Sequence, residues 1–272
     1  MTTIDLQQKA RKIRIEIIKM ITKAGSGHPA GSLGMTDIFT ALYFDILNHN
    51  PKKPNWPDRD RLILSCGHIV PVWYATLAEA GYFPKKELAT LRQIGSRLQG
   101  HPKRHSLPGI ENTSGPLGQG VSVACGVALA TKMKNQDFTT YLISSDGEHD
   151  EGQTWEAIMF AHHHKLDNLV NIVDRNQIQI SGNTEEIMSI GRLSDKYQAF
   201  GWQVFETDGH DFTQIINTIS KCHESNGRPK VVIAHTTPGK GVSFMENDFR
   251  WHGKAPNQED AARALEELNL SN

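Results

Sequence analysis

Ile4, Leu6, Ala10, Ile13, Ile17, Met20 and Ile21 recur at helical spacing among charged residues, which predicts an opening amphipathic helix that ends at Gly25-Ser26-Gly27. A second helix is expected over 35–47. Pro51, Pro54 and Pro57 mark 50–60 as loop, and this loop leads into 61–65, a short apolar run of strand type. Comparable runs at 139–144, 169–173, 202–206 and 230–234 predict further strands, with helical stretches at 118–134, 152–164 and 211–223 between them. That alternation implies a doubly wound α/β fold, a mainly parallel sheet with crossover helices on both faces. The last stretch, 258–268, reads as one acidic helix with no strand pattern after it. No internal repeat, low-complexity tract or linker interrupts the pattern, so 1–272 is expected to form a single domain. Ligands of such sheets bind beyond the carboxyl ends of the strands, which directs attention to the loops there.

Composition narrows the partners. The 29 basic and 30 acidic residues are spread along all 272 positions and leave a formal net charge of -1, so no basic face is set aside for nucleic acid or anionic lipid. No uncharged apolar run reaches the ~18 residues of a membrane span, and the charged N-terminal segment does not read as a secretory leader. Cys66, Cys125 and Cys222 are odd in number, far apart and in no CxxC pair, which speaks against a disulfide framework or structural zinc and for reduced thiols in the cytoplasm.

The chemistry-bearing residues stand at expected strand ends. Asp146-Gly147 follows the strand at 139–144, and Asp174-Arg175-Asn176-Gln177-Ile178 follows the next. A hard cation on a diphosphate takes roughly octahedral oxygen coordination, and Asp146, Asn176 and the carbonyl of Ile178 offer a carboxylate, an amide oxygen and a backbone oxygen for it. Gly147 would let phosphate approach the backbone with no Cβ in the way. Either element alone is ordinary turn chemistry. Together they carry more, and rival readings fail on spacing. An EF-hand counted from Asp146 meets Glu151 where it needs Gly and Ala157 where it needs Glu. His162, His163 and His164 are consecutive and so point to different helix faces. Gly25-Ser-Gly27-His-Pro-Ala30 matches the dinucleotide fingerprint literally but follows a helix where the fingerprint needs a strand.

The stretch from Ser145 to Asn176 resembles the thiamine diphosphate motif, which begins Gly-Asp-Gly, continues through Glu-Ala and Asn-Leu and ends in an Asn beside the metal. Here Ser145-Asp146-Gly147 opens it, followed by Glu156-Ala157, Asn168-Leu169 and Asn176, with serine in place of the first glycine. The resemblance extends over nearly the whole chain to the transketolase family. It includes His28 in Gly25-Ser-Gly-His-Pro29, His68 in Ser65-Cys-Gly-His68, His101 in Gly100-His-Pro102, the segment Thr113-Ser-Gly-Pro-Leu-Gly-Gln-Gly120, and Trp251-His252-Gly253. Pyruvate dehydrogenase and deoxyxylulose phosphate synthase share the Asp-Gly to Asn element, but not this combination.

The resemblance implies thiamine diphosphate with Mg²⁺ or Ca²⁺ as cofactors and transfer of a two-carbon ketol unit from a ketose (phosphate) donor to an aldose (phosphate) acceptor, with sugar phosphates as substrates. By the same resemblance, His28 and His101 would meet substrate oxygens, and His68 and His252 would lie by the cofactor. Gly115 and Leu117 would line its pocket, and Asp146, Gly147, Asn176 and Ile178 would hold metal and diphosphate. The start of the helix at 118–134, with its free backbone N–H groups, is a further expected phosphate cradle. A lysine present near the diphosphate in some relatives falls at Pro238, with Lys240 close by.

A full transketolase is more than twice as long, and its later part supplies the glutamate of the pyrimidine-binding domain and the arginines that grip sugar phosphate. The expectation is therefore a two-chain enzyme: this chain with a separate C-terminal subunit, in a heterotetramer of two plus two chains. Asp150, Glu151 and Glu156 would face another subunit. The alternatives are a thiamine enzyme of another reaction, such as decarboxylation, and a noncatalytic subunit. The sugars, and whether they belong to the pentose phosphate pathway, to catabolism of unusual sugars or to specialised biosynthesis, are not legible in these residues.

Overall fold

The computed structural model describes residues 1–270. The opening helix, α1 (Thr3–Ala24), starts in a reciprocal cap between Thr2 and Asp5 and stops at Gly25, whose φ of 65° suits a residue without Cβ. Next come α2 (Pro29–Gly34) and α3 (Thr36–Ala41), the latter running into a π-turn at Leu42–Ile46. The helix expected over 35–47 is present over 36–46, its second half widened into π geometry. The pattern along the chain does not reveal α2, because Pro29, Gly31 and Gly34 look like loop residues. Proline is well placed at a helix start, however, and the two glycines are there for close packing. A Cβ on Gly31 would stand 2.8 Å from the Ile69 side chain, and one on Gly34 3.0 Å from the Thr237 carbonyl oxygen.

The chain continues through β1 (Arg61–Leu64), α4 (Val70–Glu79), α5 (Gln119–Met133), β2 (Thr140–Ser145), α6 (Gly152–His163) and β3 (Leu169–Arg175). A short hairpin, β4 (Ile178–Gln179) and β5 (Gly182–Asn183), leads to α7 (Thr184–Ile187) and α8 (Leu193–Ala199). The chain then runs through β6 (Gln203–Asp208), α9 (Phe212–Ser220), β7 (Lys230–His235) and α10 (Gln258–Leu270). Five strands form one parallel sheet, as the alternation of elements predicts, and their order is β1-β2-β3-β7-β6.

Side chains along each strand alternate between two apolar layers. Leu62, Leu64, Tyr141, Ile143, Val170, Ile172 and Val232 face the layer built with α1, α3, α4, α9 and α10. Ile63, Leu142, Leu169, Val173, Val231 and Ile233 face the layer built with α5, α6 and α8. Each such side chain, fully removed from water, contributes about 1.5–3 kcal/mol. The sheet is therefore clamped on both faces, and its carboxyl edge is the rigid base of the site.

Candidate functional site

A cavity of about 440 Å³ opens at that edge. It is lined by His28, His68, His101, His252, Gly115, Leu117, Asp146, Gly147, Asn176 and Ile178, together with Ser145, Gln179, Ile180 and Ser181. The ten residues named from the sequence for catalysis, cofactor or metal converge here. The last three, Gln179, Ile180 and Ser181, were missed, because a two-residue-strand hairpin leaves no periodic signal. Glu151 and Glu156 lie outside the cavity and are exposed, Glu156 on the groove between α5 and α6. Asp150 is exposed and accepts from the Gln179 amide at 2.9 Å. Lys240 lines a different cavity beside α1, with its ammonium 3.9 Å from Glu246.

Four elements each bring one imidazole. His28 sits at the start of α2, His68 in the turn after β1, His101 in the loop before α5, and His252 after the turn Phe249–Trp251. The ring of His28 lies 5.1 Å from His68, 5.6 Å from His252 and 6.4 Å from His101, and His68 lies 5.2 Å from His252. Burial pushes the His28 imidazole down to about 4, assisted by neighbouring His252, Arg92 and His101. Burial lowers His68, His101 and His252 as well. The cluster is therefore neutral near pH 7, so each ring can accept or release a proton. Arg92 ties the His28 and His101 loops together, donating to Ser26 Oγ at 2.8 Å and to the Gly100 carbonyl at 3.3 Å. A Cβ on Gly100 would fall 2.7 Å from that guanidinium.

The opposite wall is oxygen-rich. Asp146 Oδ1 accepts from its neighbour Gly147 N–H at 2.8 Å, and Oδ2 from Gln177 N–H at 2.7 Å and from Arg175 at 3.1 Å. Asn176 is held by its own turn: its amide donates to Asp174 at 2.8 Å while its oxygen accepts from Ile178 N–H at 3.0 Å. Burial pushes the Asp146 carboxyl up to about 6 and that of Asp174 to about 7, the latter aided by Asp146.

The residues present fit a cation-bridged diphosphate. His28 Nδ1 is a buried polar atom without a protein partner. No lysine or arginine lines the cavity among the described residues, so an anionic ligand beside Asp146 needs a cation brought with it. Among those residues no three His, Cys, Asp or Glu side chains are grouped to hold an ion by themselves. Asp146, Asn176 and the Ile178 carbonyl would supply part of an octahedron, leaving positions for phosphate oxygens and water.

At the start of α5 two N–H groups are already engaged: Gly118 N–H donates to Glu148 at 2.9 Å and Gly120 N–H to Ser65 Oγ at 3.1 Å. Glu148 is fully buried and also accepts from Ser65 Oγ, from Ser145 N–H at 2.8 Å and from Ser145 Oγ at 3.3 Å. Its two oxygens thus join the ends of β1 and β2 to the start of α5. The serine standing where the motif has glycine belongs to this network.

Residues 6–271 match the family described as transketolase, thiamine diphosphate binding domain. The chain is 43% identical to an apulose-4-phosphate transketolase subunit of Phocaeicola vulgatus, over 97% of this chain and 94% of that one. It is also 43% identical to a 6-deoxy-6-sulfo-D-fructose transketolase subunit of a Clostridium species, over 97% of this chain and 96% of that one. Among solved structures, Campylobacter jejuni transketolase superposes with a TM-score of 0.93 at 34% identity over 99% of this chain. The chain spans only 43% of that protein. The fold and site thus define a thiamine diphosphate-binding α/β domain. The chain belongs to the transketolase family, in its thiamine diphosphate-binding domain. The family, fold class and transketolase-type transferase assignment read from the sequence are borne out.

Proposed function

We propose that residues 1–272 act as one domain, the diphosphate-binding subunit of a two-chain transketolase. With a partner subunit carrying the pyrimidine-binding domain, it would move a two-carbon ketol unit from a ketose to an aldose. Thiamine diphosphate supplies the electron sink when bound. The observation that carries the reading is the juxtaposition, in one cavity, of four burial-neutralised imidazoles with the Asp146 and Asn176 oxygens. Asp146, Asn176 and the Ile178 carbonyl hold Mg²⁺ or Ca²⁺, Gly147 admits the diphosphate, and Gly115 and Leu117 pack against the cofactor. His68 and His252 orient it. His28 and His101 bind substrate hydroxyls and exchange protons with them, which neutral rings can do in either direction.

The names of the two relatives above include a phosphate and a sulfo group, which supports a donor with an anionic tail. No lysine or arginine lines the described cavity, so that tail is read by the partner. Exposed Glu151 and Glu156 belong to the contact between subunits in an assembly of two plus two chains. Among the described residues no helix is long and apolar enough to cross a membrane, and the cytoplasm is the proposed location.

The test is to assay the purified chain with thiamine diphosphate, Mg²⁺, a panel of ketose donors and an aldose phosphate, before and after adding the product of a neighbouring gene that encodes a pyrimidine-binding domain. Ketol transfer only in the mixture is expected. Robust turnover by the chain alone would sink the two-chain reading, and none with any partner and donor would favour a noncatalytic subunit.

A further inference from the structure

Arg175 is the cation closest to the oxygen wall, yet it does not line the cavity. It stands behind Asp146 and divides its guanidinium between two acids. Nη1 donates to Asp146 Oδ2 at 3.1 Å and to Thr184 Oγ1 at 3.1 Å, and Nη2 donates to Glu185 at 2.7 Å. Its side chain is only 12% exposed and that of Asp146 1%, whereas Glu185 at the start of α7 is 36% exposed. One partner is therefore a buried carboxylate aimed at the cavity, and the other a solvated one on the surface.

We propose that Arg175 is a resident counter-cation that a divalent ion must displace electrostatically from Asp146, so that the chain takes up free metal poorly and loads it together with the diphosphate. The inference rests on the reading of Asp146 as a metal ligand. Two features of the geometry support it. The orientation of Asp146 does not depend on Arg175, since the Gln177 and Gly147 N–H groups hold both oxygens. The guanidinium contributes charge there more than position, and a positive charge a few ångströms from a divalent cation opposes its binding at low effective dielectric. Glu185 supplies the second support, because it offers the guanidinium a partner once Asp146 is taken. The diphosphate then adds the negative charge that outweighs Arg175, and by linkage the metal strengthens diphosphate binding in equal measure.

The measurement is Mn²⁺ binding to the full chain by electron paramagnetic resonance, with and without thiamine diphosphate. Without diphosphate, Arg175→Gln should bind Mn²⁺ about tenfold or more tighter than the wild type. Arg175→Lys, which keeps the charge, should restore weak binding. A purely structural arginine would instead lose metal affinity on substitution and gain nothing from lysine. Glu185→Gln removes the competing acid from the surface and leaves the buried wall intact, so Mn²⁺ binding should weaken severalfold. This variant keeps the test decisive if Arg175→Gln fails to fold. Unchanged or weaker Mn²⁺ binding in Arg175→Gln, or tighter binding in Glu185→Gln, overturns the inference. A wild type that binds no Mn²⁺ even with thiamine diphosphate present overturns the metal-site reading as well, which separates the two failures.

Discussion

The imidazoles of His28 and His68 stand 5.1 Å apart and tilted by 57°, one at the start of a helix and the other after the first sheet strand. Burial is what disfavours charge on either ring, and neighbouring His252 and His101 lower both further, so the cluster keeps its imidazoles neutral. His28 is accordingly expected to titrate near pH 4 in the folded chain, against 6.5 when exposed. Between these values the unfolded chain binds the extra proton, so this group's contribution to stability is fully present above pH 6.5 and is lost as pH falls towards 4. Imidazole proton resonances followed by NMR check it. A His28 midpoint near 6.5 would contradict the buried, neutral cluster.

Glu148→Gln should destabilise the chain despite near-identical shape. Each carboxylate oxygen accepts a backbone N–H, Gly118 at 2.9 Å on one side and Ser145 at 2.8 Å on the other, so an amide NH₂ meets a donor whichever way it turns. A buried unmet donor costs about 1–3 kcal/mol. Denaturant unfolding is the measurement. Because the network fixes the turn carrying His68 and the strand end carrying Asp146, thiamine diphosphate affinity should fall too. An unchanged midpoint would show that Glu148 does not join these elements.

Much of this was legible in the sequence, and the parts that were not have physical reasons. Short apolar runs marked each of the five sheet strands to within a few residues, since four of them are buried along nearly their whole length and so read as continuous apolar segments. Strand order was not legible, because β7 inserts between β3 and β6, a pairing distant in sequence. Asp146 and Asn176 were visible as oxygen donors at successive strand ends. Glu148 was not, since a glutamate three residues after a strand looks solvated until Ser65 and Gly118 are seen to aim at it. Arg175 was hidden likewise: its partners Asp146 and Glu185 lie on opposite sides of it in the chain.

His101→Ala and Asn176→Ala should separate substrate from cofactor. His101 is exposed at the cavity mouth beside His28, whereas Asn176 is locked between Asp174 and Ile178 on the oxygen wall. In the assembled enzyme, the histidine variant should lower kcat or raise the substrate KM with cofactor affinity nearly unchanged, and the asparagine variant the reverse. Loss of cofactor binding in a folded His101→Ala would reverse the assignment of the two walls.

Thiamine diphosphate binding should depend strictly on a divalent cation. The cavity sets the Asp146 carboxylate where the diphosphate would lie and, among the described residues, provides no lysine or arginine on its walls. Two anions in a buried pocket repel by several kcal/mol at a few ångströms unless a cation stands between them, and Arg175, behind Asp146 and shared with Glu185, offsets only part of that charge. Two of the N–H groups at the start of α5, those of Gly118 and Gly120, are already spent on Glu148 and Ser65. Titrating the cofactor by fluorescence with Mg²⁺, and again with a chelator in excess, should give a loss of at least a hundredfold in affinity. Asp146→Ala in Mg²⁺ should lose a similar factor, because it removes the one carboxylate of the oxygen set. The same variant with chelator should be no worse than the wild type with chelator, since the repulsion leaves with the carboxylate. That last comparison distinguishes a ligand from a structural aspartate, whose removal would weaken binding equally in both conditions.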